Sequence, residues 1–317
     1  MSTSAEKPLV CLRAVEKRYG TKRALGPIDL VLDRREIVGV VGPDGAGKTT
    51  LLRSLAGLLE IRAEEATVLG HDLRGDVTDL KRDIGYVPQS FSLHRDLSVM
   101  ENLRFTARLH RLSEPEFAER SHELLERTAL APFTDRIAGA LSGGMKQKLA
   151  IANALLIHPR LILLDEPTAG VDVVARSEIW SLLERERSRA LILMSTSYLD
   201  EAAACDRLVY LDSGRVLATG SPEELRTKMT LELFRAWGDD PKAIARKARE
   251  LPYVAGARAT GGFARIEVRA KSAPDDRRIV DDLTRGAGAR FAVRTPADME
   301  SLLLALSRHA EENGHSP

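Results

Sequence analysis

Short apolar segments recur along the first two thirds of the chain, and between them apolar residues follow a helical spacing. The apolar segments 36–41, 84–87, 161–164 and 191–194 have the length of strands. The segment 161–164 has no polar alternation, which is typical of a central parallel strand buried on both faces. Apolar positions recur at helical spacing in residues 51–59 and over much of 98–136. This pattern predicts an α/β fold with a helical subdomain at about residues 90–158.

The pattern changes after residue 221. Segments 208–211 and 215–219 are predicted to form a closing hairpin with a glycine-containing turn at 212–214. We therefore predict an α/β domain over residues 1–225 and a small α+β domain over 226–317. In the second domain, strands are expected at 231–234, 263–268 and 290–294, and helices at 243–250, 277–283 and 299–309.

Composition narrows the possible functions. The 47 Lys and Arg residues nearly balance the 46 Asp and Glu residues, so the net charge of +1 gives no sign of a nucleic-acid-binding protein. No apolar run approaches the roughly 18 to 20 residues of a membrane helix. Because residues 1–10 also lack a secretory signal, we expect a cytoplasmic protein that serves a membrane only as a peripheral partner. Cys11 and Cys205 form no CxxC pair, so we expect reduced thiols.

A glycine-rich turn joins the strand at 36–41 to the helix that begins near Lys48. Gly42, Gly45 and Gly47 lack a Cβ atom, so the backbone N–H groups can converge on an anion. In the pattern G-x-x-x-x-G-K-[ST], the lysine reaches the β- and γ-phosphates and the following hydroxyl ligates Mg²⁺. The predicted phosphate-binding residues are Gly42, Pro43, Asp44, Gly45, Ala46, Gly47, Lys48, Thr49 and Thr50.

Two further motifs follow. Asp165 and Glu166 end an apolar strand, at the edge of the sheet where ligands bind in open α/β folds. One carboxylate could hold the Mg²⁺ hydration shell and the other could polarise the attacking water, or the pair could be a plain acidic cap. Residues 142–144, Ser-Gly-Gly, begin a helix and form either a second anion-binding element or an ordinary N-cap.

The order of these motifs resembles that of the ATP-binding subunit of an ABC transporter. The resemblance covers residues 9 to about 225 and rests on the loop 42–50, Gln89, the signature 141–145, the strand end 161–167 and the D-loop 169–172. It implies a P-loop NTPase core of the ABC ATPase type that binds ATP and Mg²⁺.

The resemblance also implies a role for each matching residue. Tyr19 would stack on adenine, while Lys48 and the loop amides would hold the phosphates. Thr49 and Gln89 would contact Mg²⁺, with Asp165 nearby. Glu166 would be the general base, or would position the water. Ser142, Gly143 and Gly144 would close over the γ-phosphate of ATP bound to a second subunit.

The implied partners are a second ATP-binding subunit and a membrane permease subunit at the inner face of the cell membrane. Gln89, Phe91 and Leu93 are the predicted coupling segment to this permease. The chain from about residue 231 resembles the accessory domain of exporter ATPases similar to those of daunorubicin resistance. That domain could mediate dimer contacts, dock the permease or regulate turnover.

One position departs from the family pattern. Ser197 stands where family members usually carry a histidine that contacts the γ-phosphate. A serine hydroxyl is shorter and carries no positive charge, so it should stabilise transition-state charge less well. We expect slow hydrolysis at this chain's own loop, or a tolerated substitution with Glu166 still sufficient. A soluble ABC ATPase acting on ribosomes or DNA, and a nucleotide-sensing regulator, are the alternative functions.

Overall fold

The computed structural model describes residues 7–227, 231–270, 272–296, 299 and 301–302. The chain divides into two compact units between Ser221 and Pro222. This division falls a few residues before the boundary that the sequence predicts.

Within the described residues, the first unit contains two sheets, six α-helices and three short 3₁₀ helices. Its strands are β1 (Val10–Tyr19), β2 (Lys22–Leu32), β3 (Ile37–Val41), β4 (Glu65–Val68), β5 (His71–Asp72), β6 (Ile84–Val87), β7 (Leu161–Asp165), β8 (Leu191–Ser195), β9 (Arg207–Asp212) and β10 (Arg215–Gly220). Its helices are α1 (Lys48–Leu55), α2 (Val99–Leu109), α3 (Glu114–Arg127), α4 (Gly143–Leu155), α5 (Val173–Glu186) and α6 (Leu199–Ala204).

The larger sheet has the strand order β10-β9-β3-β8-β7-β6 and is parallel except for β10. Every residue of β3, β7 and β8 is buried, which explains why their sequences do not alternate. The smaller sheet, β2-β1-β4-β5, is antiparallel. Leucines of α1 join both sheets in one apolar core. The carboxyl ends of the parallel strands thus form one edge, on which α1 begins.

Two details differ from the sequence-based expectations. Residues 16–18 were expected to separate two strands, but they lie inside β1, and the chain reverses only at Gly20. The apolar pattern to residue 59 overstates α1, which ends at Leu55 before Gly57 adopts a φ of +64°. Glycine ends a helix readily because it reaches this left-handed conformation without a steric penalty.

Helices α2, α3 and α4 come from the segment that was expected to be helical. Ser98 and Ser113 each accept a hydrogen bond from the backbone of a glutamate three residues later, and that glutamate bonds back to the serine N–H. Such capping boxes satisfy N–H groups that the helix itself cannot pair. The predicted helix start after Ser113 is therefore confirmed.

The second unit is a separate α+β structure. It contains α7 (Pro222–Thr227), β11 (Leu231–Trp237), α8 (Pro241–Ala248), β12 (Val254–Thr260), β13 (Phe263–Arg269), α9 (Asp276–Asp281) and β14 (Phe291–Thr295). The strands form an antiparallel sheet in the order β12-β13-β11-β14, and its core includes side chains of α8 and α9. The strand β12 was missed because its sequence is rich in small and polar residues. The predicted helix 299–309 lies mostly outside the described residues.

Candidate ATP-binding and hydrolysis site

The glycine-rich loop takes a path that only glycine permits at two positions. Gly42 has a φ of +154°, and a Cβ atom there would lie 1.9 Å from the carbonyl oxygen of Leu211. Gly47 has a φ of +106°, and its Cβ atom would lie 2.7 Å from the carbonyl oxygen of Ala24. The loop therefore needs glycine both for backbone conformation and for space.

Backbone hydrogen bonds hold the middle of the loop in place. The Ala46 N–H donates to the carbonyl of Pro43 at 3.1 Å, and the Ala46 carbonyl accepts from the N–H of Gly214 at 2.9 Å. Gly214 lies in the turn between β9 and β10, so the hairpin fixes the loop. Thr50, the last of the predicted phosphate-binding residues, lies in α1, where its carbonyl accepts a hydrogen bond from Ser54.

Lys48 is the first residue of α1 and is 6% exposed. Its ammonium group donates to the carbonyls of Gly42 at 2.8 Å and Pro43 at 3.2 Å, and lies 3.9 Å from the Asp44 carboxylate. No side chain caps the N-terminus of α1. Its first N–H groups, the helix dipole and the lysine charge together suit a phosphate group.

Asp165, at the end of β7, is 1% exposed and receives two hydroxyl hydrogen bonds. Its Oδ1 atom accepts from Thr49 Oγ1 at 3.1 Å and from Ser195 Oγ at 2.8 Å. Its Oδ2 atom is buried and has no hydrogen-bond partner among the described residues. A buried carboxylate oxygen beside a threonine hydroxyl fits a Mg²⁺ ion, because this ion prefers oxygen ligands.

Glu166 is the partly exposed carboxylate of the site. Its backbone has a φ of +50°, and its N–H donates to Ser195 Oγ at 2.8 Å. Gln89 Nε2 donates to its Oε2 at 3.0 Å, and Ser197 Oγ donates to its Oε1 at 3.4 Å. The structure thus brings Gln89, Asp165 and Ser197 together around Glu166, next to the glycine-rich loop. Among the described residues, no three His, Cys, Asp or Glu side chains form a metal-binding cluster.

The signature residues 142–144 lie at the start of α4. Ser142 caps α4 through a 3.3 Å hydrogen bond from the N–H of Met145, and both Ser142 and Gly143 are exposed. Gly144 is buried, and a Cβ atom there would lie 2.9 Å from the Cβ atom of Ala175 on α5. In the described part of the chain, no hydrogen bond of residues 142–144 reaches the loop 42–50.

Tyr19 ends β1 with its ring about half exposed and the Lys17 ammonium 5.4 Å from the ring centroid. Its described hydrogen bonds do not reach the loop 42–50. The structure leaves this side chain accessible, and its predicted stacking on adenine stays a prediction.

Sequence reasoning missed the role of Ser195. This residue pairs in register with Asp165 across the parallel strands β8 and β7. Two neighbouring parallel strands that end together place their last side chains at one edge. In the sequence, the polar residue at the end of each of these two apolar strands could have indicated that Asp165 and Ser195 lie side by side.

Comparison with known proteins agrees with the family resemblance that the sequence motifs indicate. The family model described as ABC transporter matches residues 25–169. The chain is 40% identical over 280 residues to the probable multidrug ABC transporter ATP-binding protein YbhF of Escherichia coli K12, covering 87% of this chain and 48% of YbhF. It is 37% identical to the daunorubicin resistance ATP-binding protein DrrA3 of Streptomyces coeruleorubidus, covering 76% of this chain and 75% of DrrA3.

A third relative matches nearly end to end. The Nod factor export ATP-binding protein I of Rhizobium sp. strain N33 is 33% identical, and the match covers 95% of this chain and 97% of the relative. By contrast, the chain spans about half the length of YbhF.

Solved structures agree with these relatives. An ATP-binding subunit of an ABC transporter is 32% identical, with a TM-score of 0.65 over 69% of this chain and 92% of that one. The ATP-binding cassette MJ0796, in a dimeric post-hydrolysis state with ADP and Pi, is 28% identical, with a TM-score of 0.62 over 67% of this chain and 98% of that one. No helix in the described ranges is long and apolar enough to cross a bilayer. The chain belongs to the ABC transporter family, as one of its ATP-binding members.

Proposed function

We propose that this chain is the ATP-hydrolysing subunit of an exporter and drives a separate membrane permease. The observation that carries this proposal is the carboxylate pair Asp165 and Glu166 beside the glycine-rich loop. Asp165 faces the Thr49 hydroxyl, and Glu166 faces Gln89. The relatives reported above are named for multidrug transport, daunorubicin resistance and Nod factor export, and these names support a drug-like or hydrophobic substrate.

The chemistry follows from what each side chain can do. Lys48 and the loop N–H groups bind the phosphates, and the Lys48 ammonium exchanges its loop carbonyls for phosphate oxygens. Thr49, Asp165 and Gln89 offer oxygen atoms to Mg²⁺, which neutralises phosphate charge when it is bound. The Glu166 carboxylate accepts a hydrogen bond from the attacking water. This bond orients the water oxygen for attack, and the carboxylate takes up the proton that the water loses.

We propose that a second ATP-binding subunit completes the site. Ser142 and Gly143 are exposed and do not bond to the chain's own loop in the described residues. An exposed helix N-terminus of this kind suits the γ-phosphate held by another protomer. The dimeric state of MJ0796 supports this arrangement. Whether the partner is an identical chain decides if both sites carry Ser197.

We propose that Ser197 makes hydrolysis slow at this chain's own loop. Its hydroxyl lies 3.4 Å from Glu166 and supplies no positive charge. The test compares ATP hydrolysis by the parent, Ser197→His and Ser188→His, in which the second variant is a control. Ser188 is also exposed, but it lies before β8, at the opposite end of the strand from Ser197.

We expect Ser197→His to raise kcat by about tenfold or more, because a positioned donor to transition-state charge typically changes kcat by roughly 100-fold to 1000-fold. Ser188→His should leave kcat unchanged. An unchanged rate for Ser197→His would show that Glu166 suffices with serine at position 197. A parent rate indistinguishable from that of Glu166→Gln would instead favour a nucleotide-sensing regulator.

With a permease as its partner, we propose that the chain lies in the cytoplasm, at the inner face of the membrane. Co-purification with a polytopic membrane protein tests this part of the proposal. Co-sedimentation with ribosomes would refute it.

A further inference from the structure

Glu201 is a buried carboxylate to which the ATP site described above assigns no role. It lies on α6 and is 1% exposed. Thr168 Oγ1 donates a hydrogen bond to its Oε1 at 2.5 Å, and Thr196 Oγ1 donates to its Oε2. Hydrogen bonds from hydroxyls to an ionised carboxylate are about twice as strong as those between neutral groups. One carboxylate therefore binds two separate segments of the chain.

Arg176 of α5 offsets the buried charge. Its Nε atom lies 3.8 Å from Glu201 Oε1, and its guanidinium carbon lies 3.9 Å from the centroid of the Tyr198 ring. A buried carboxylate without such compensation would be costly. The Tyr198 N–H also donates to Thr196 Oγ1, at 3.0 Å. These contacts tie the Glu201 side chain to the two neighbours of Ser197, Thr196 and Tyr198.

The two threonines stand next to the side chains of the hydrolysis site. Thr168 is two residues after Glu166, and Thr196 immediately precedes Ser197. Both threonines are almost completely buried. The φ of +50° at Glu166 is unfavourable for a residue with a side chain, so the surrounding structure must hold it. The Thr168 hydroxyl is one of the groups that anchor the connection after Glu166.

We propose that Glu201 is a positioning residue for ATP hydrolysis, which clamps the connections after β7 and β8 through Thr168 and Thr196. The clamp keeps the Glu166 carboxylate and the Ser197 hydroxyl at a fixed separation. This inference rests on the proposed role of Glu166. It predicts that damage to the clamp slows the chemical step and leaves nucleotide binding intact, because among the described residues no hydrogen bond joins the clamp to Lys48 or to the glycine-rich loop.

The first experiment is Glu201→Gln. The amide keeps the size of the side chain but offers a single acceptor oxygen and no negative charge. One threonine hydroxyl therefore loses its acceptor, and Arg176 loses the charge that it faces. We expect kcat to fall about tenfold at an unchanged KM, since small displacements of catalytic groups cost large factors in rate. The matched control is Glu186→Gln. Glu186 lies on α5 and is also buried, and its carboxylate is 2.9 Å from the guanidinium of Arg127 on α3. The control variant should lower the melting temperature comparably without lowering kcat.

A second pair of variants keeps the test valid if Glu201→Gln does not fold. Thr168→Val preserves shape and removes the hydroxyl, while Thr168→Ser restores the hydroxyl. We expect Thr168→Val to lose about tenfold in kcat and Thr168→Ser to recover most of it. Equal rates for these two variants, or equal kcat for Glu201→Gln and Glu186→Gln, would overturn the inference. Glu166→Gln distinguishes failure of this inference from failure of the proposed function. If this variant hydrolyses ATP like the parent, the role proposed for Glu166 is wrong.

Discussion

Ser195→Ala removes a hydroxyl that links the Asp165 carboxylate to the backbone N–H of Glu166. Ser195 is completely buried, donates to Asp165 at 2.8 Å and accepts from the Glu166 N–H at 2.8 Å. Alanine leaves that N–H unsatisfied, and a buried unsatisfied group costs about 1–3 kcal/mol. Loss of a hydrogen bond to a charged group costs a further ~1.5–3 kcal/mol, which Thr49 partly offsets. We therefore expect the free energy of unfolding to fall by about 2–4 kcal/mol.

The matched control is Ser54→Ala in α1. Ser54 is 1% exposed and donates to the carbonyl of Thr50 one helical turn earlier. Alanine has a higher helix propensity than serine, and the Thr50 carbonyl keeps its place in the helix, so we expect a change within about 1 kcal/mol.

The assay is urea denaturation followed by tryptophan fluorescence, together with ATPase kinetics. The chain has two tryptophans, Trp180 in the first unit and Trp237 in the second. Both variants are therefore made in a Trp237→Phe background, so that fluorescence reports on the first unit. Ser195→Ala should lower the urea midpoint with little change in slope, and should lower kcat because the Glu166 backbone loses its anchor. Equal midpoints for Ser195→Ala and Ser54→Ala would refute the reasoning.

Three further predictions concern the loop, the core and pH. Gly42→Ala should abolish ATP binding measured by calorimetry, because its Cβ atom would meet the Leu211 carbonyl, whereas Gly45→Ala has open space and should weaken binding less. Leu163→Ala should lower the free energy of unfolding by about 2–5 kcal/mol in urea titrations, because Leu163 is completely buried in the central sheet. Burial lowers the pKa of His110, so the unfolded chain binds its proton more readily than the folded one. Stability should therefore fall as pH drops through the ordinary histidine range, and His110→Gln should make that fall shallower. Three results would contradict these expectations. They are ATP binding by Gly42→Ala, an unchanged free energy of unfolding in Leu163→Ala, and the same dependence of stability on pH in His110→Gln as in the parent.

Sequence patterns predicted secondary structure best where burial or helix capping restricts which residue types a position accepts. The central strands β3, β7 and β8 were recognisable because a strand buried on both faces is apolar almost throughout, and only the last residues of β7 and β8 are polar. The starts of α3 and α4 were recognisable because a serine cap satisfies backbone groups that the helix leaves unpaired. β12 was not recognisable, because it owes its strand conformation to pairing with β13.

The amino-acid sequence by itself predicted the phosphate loop, the order of the motifs and the departure at Ser197, since each prediction depends on residue types at a short, fixed spacing. Only the tertiary structure decided that Ser195 links Asp165 to Glu166, and that Thr168 and Thr196 converge on Glu201. Asp165 and Ser195 are 30 residues apart along the chain, and Thr168 and Glu201 are 33 apart. The segments that hold them meet because β7 and β8 run parallel and end in register. Strand pairing of this kind is a non-local property, so no local pattern encodes it.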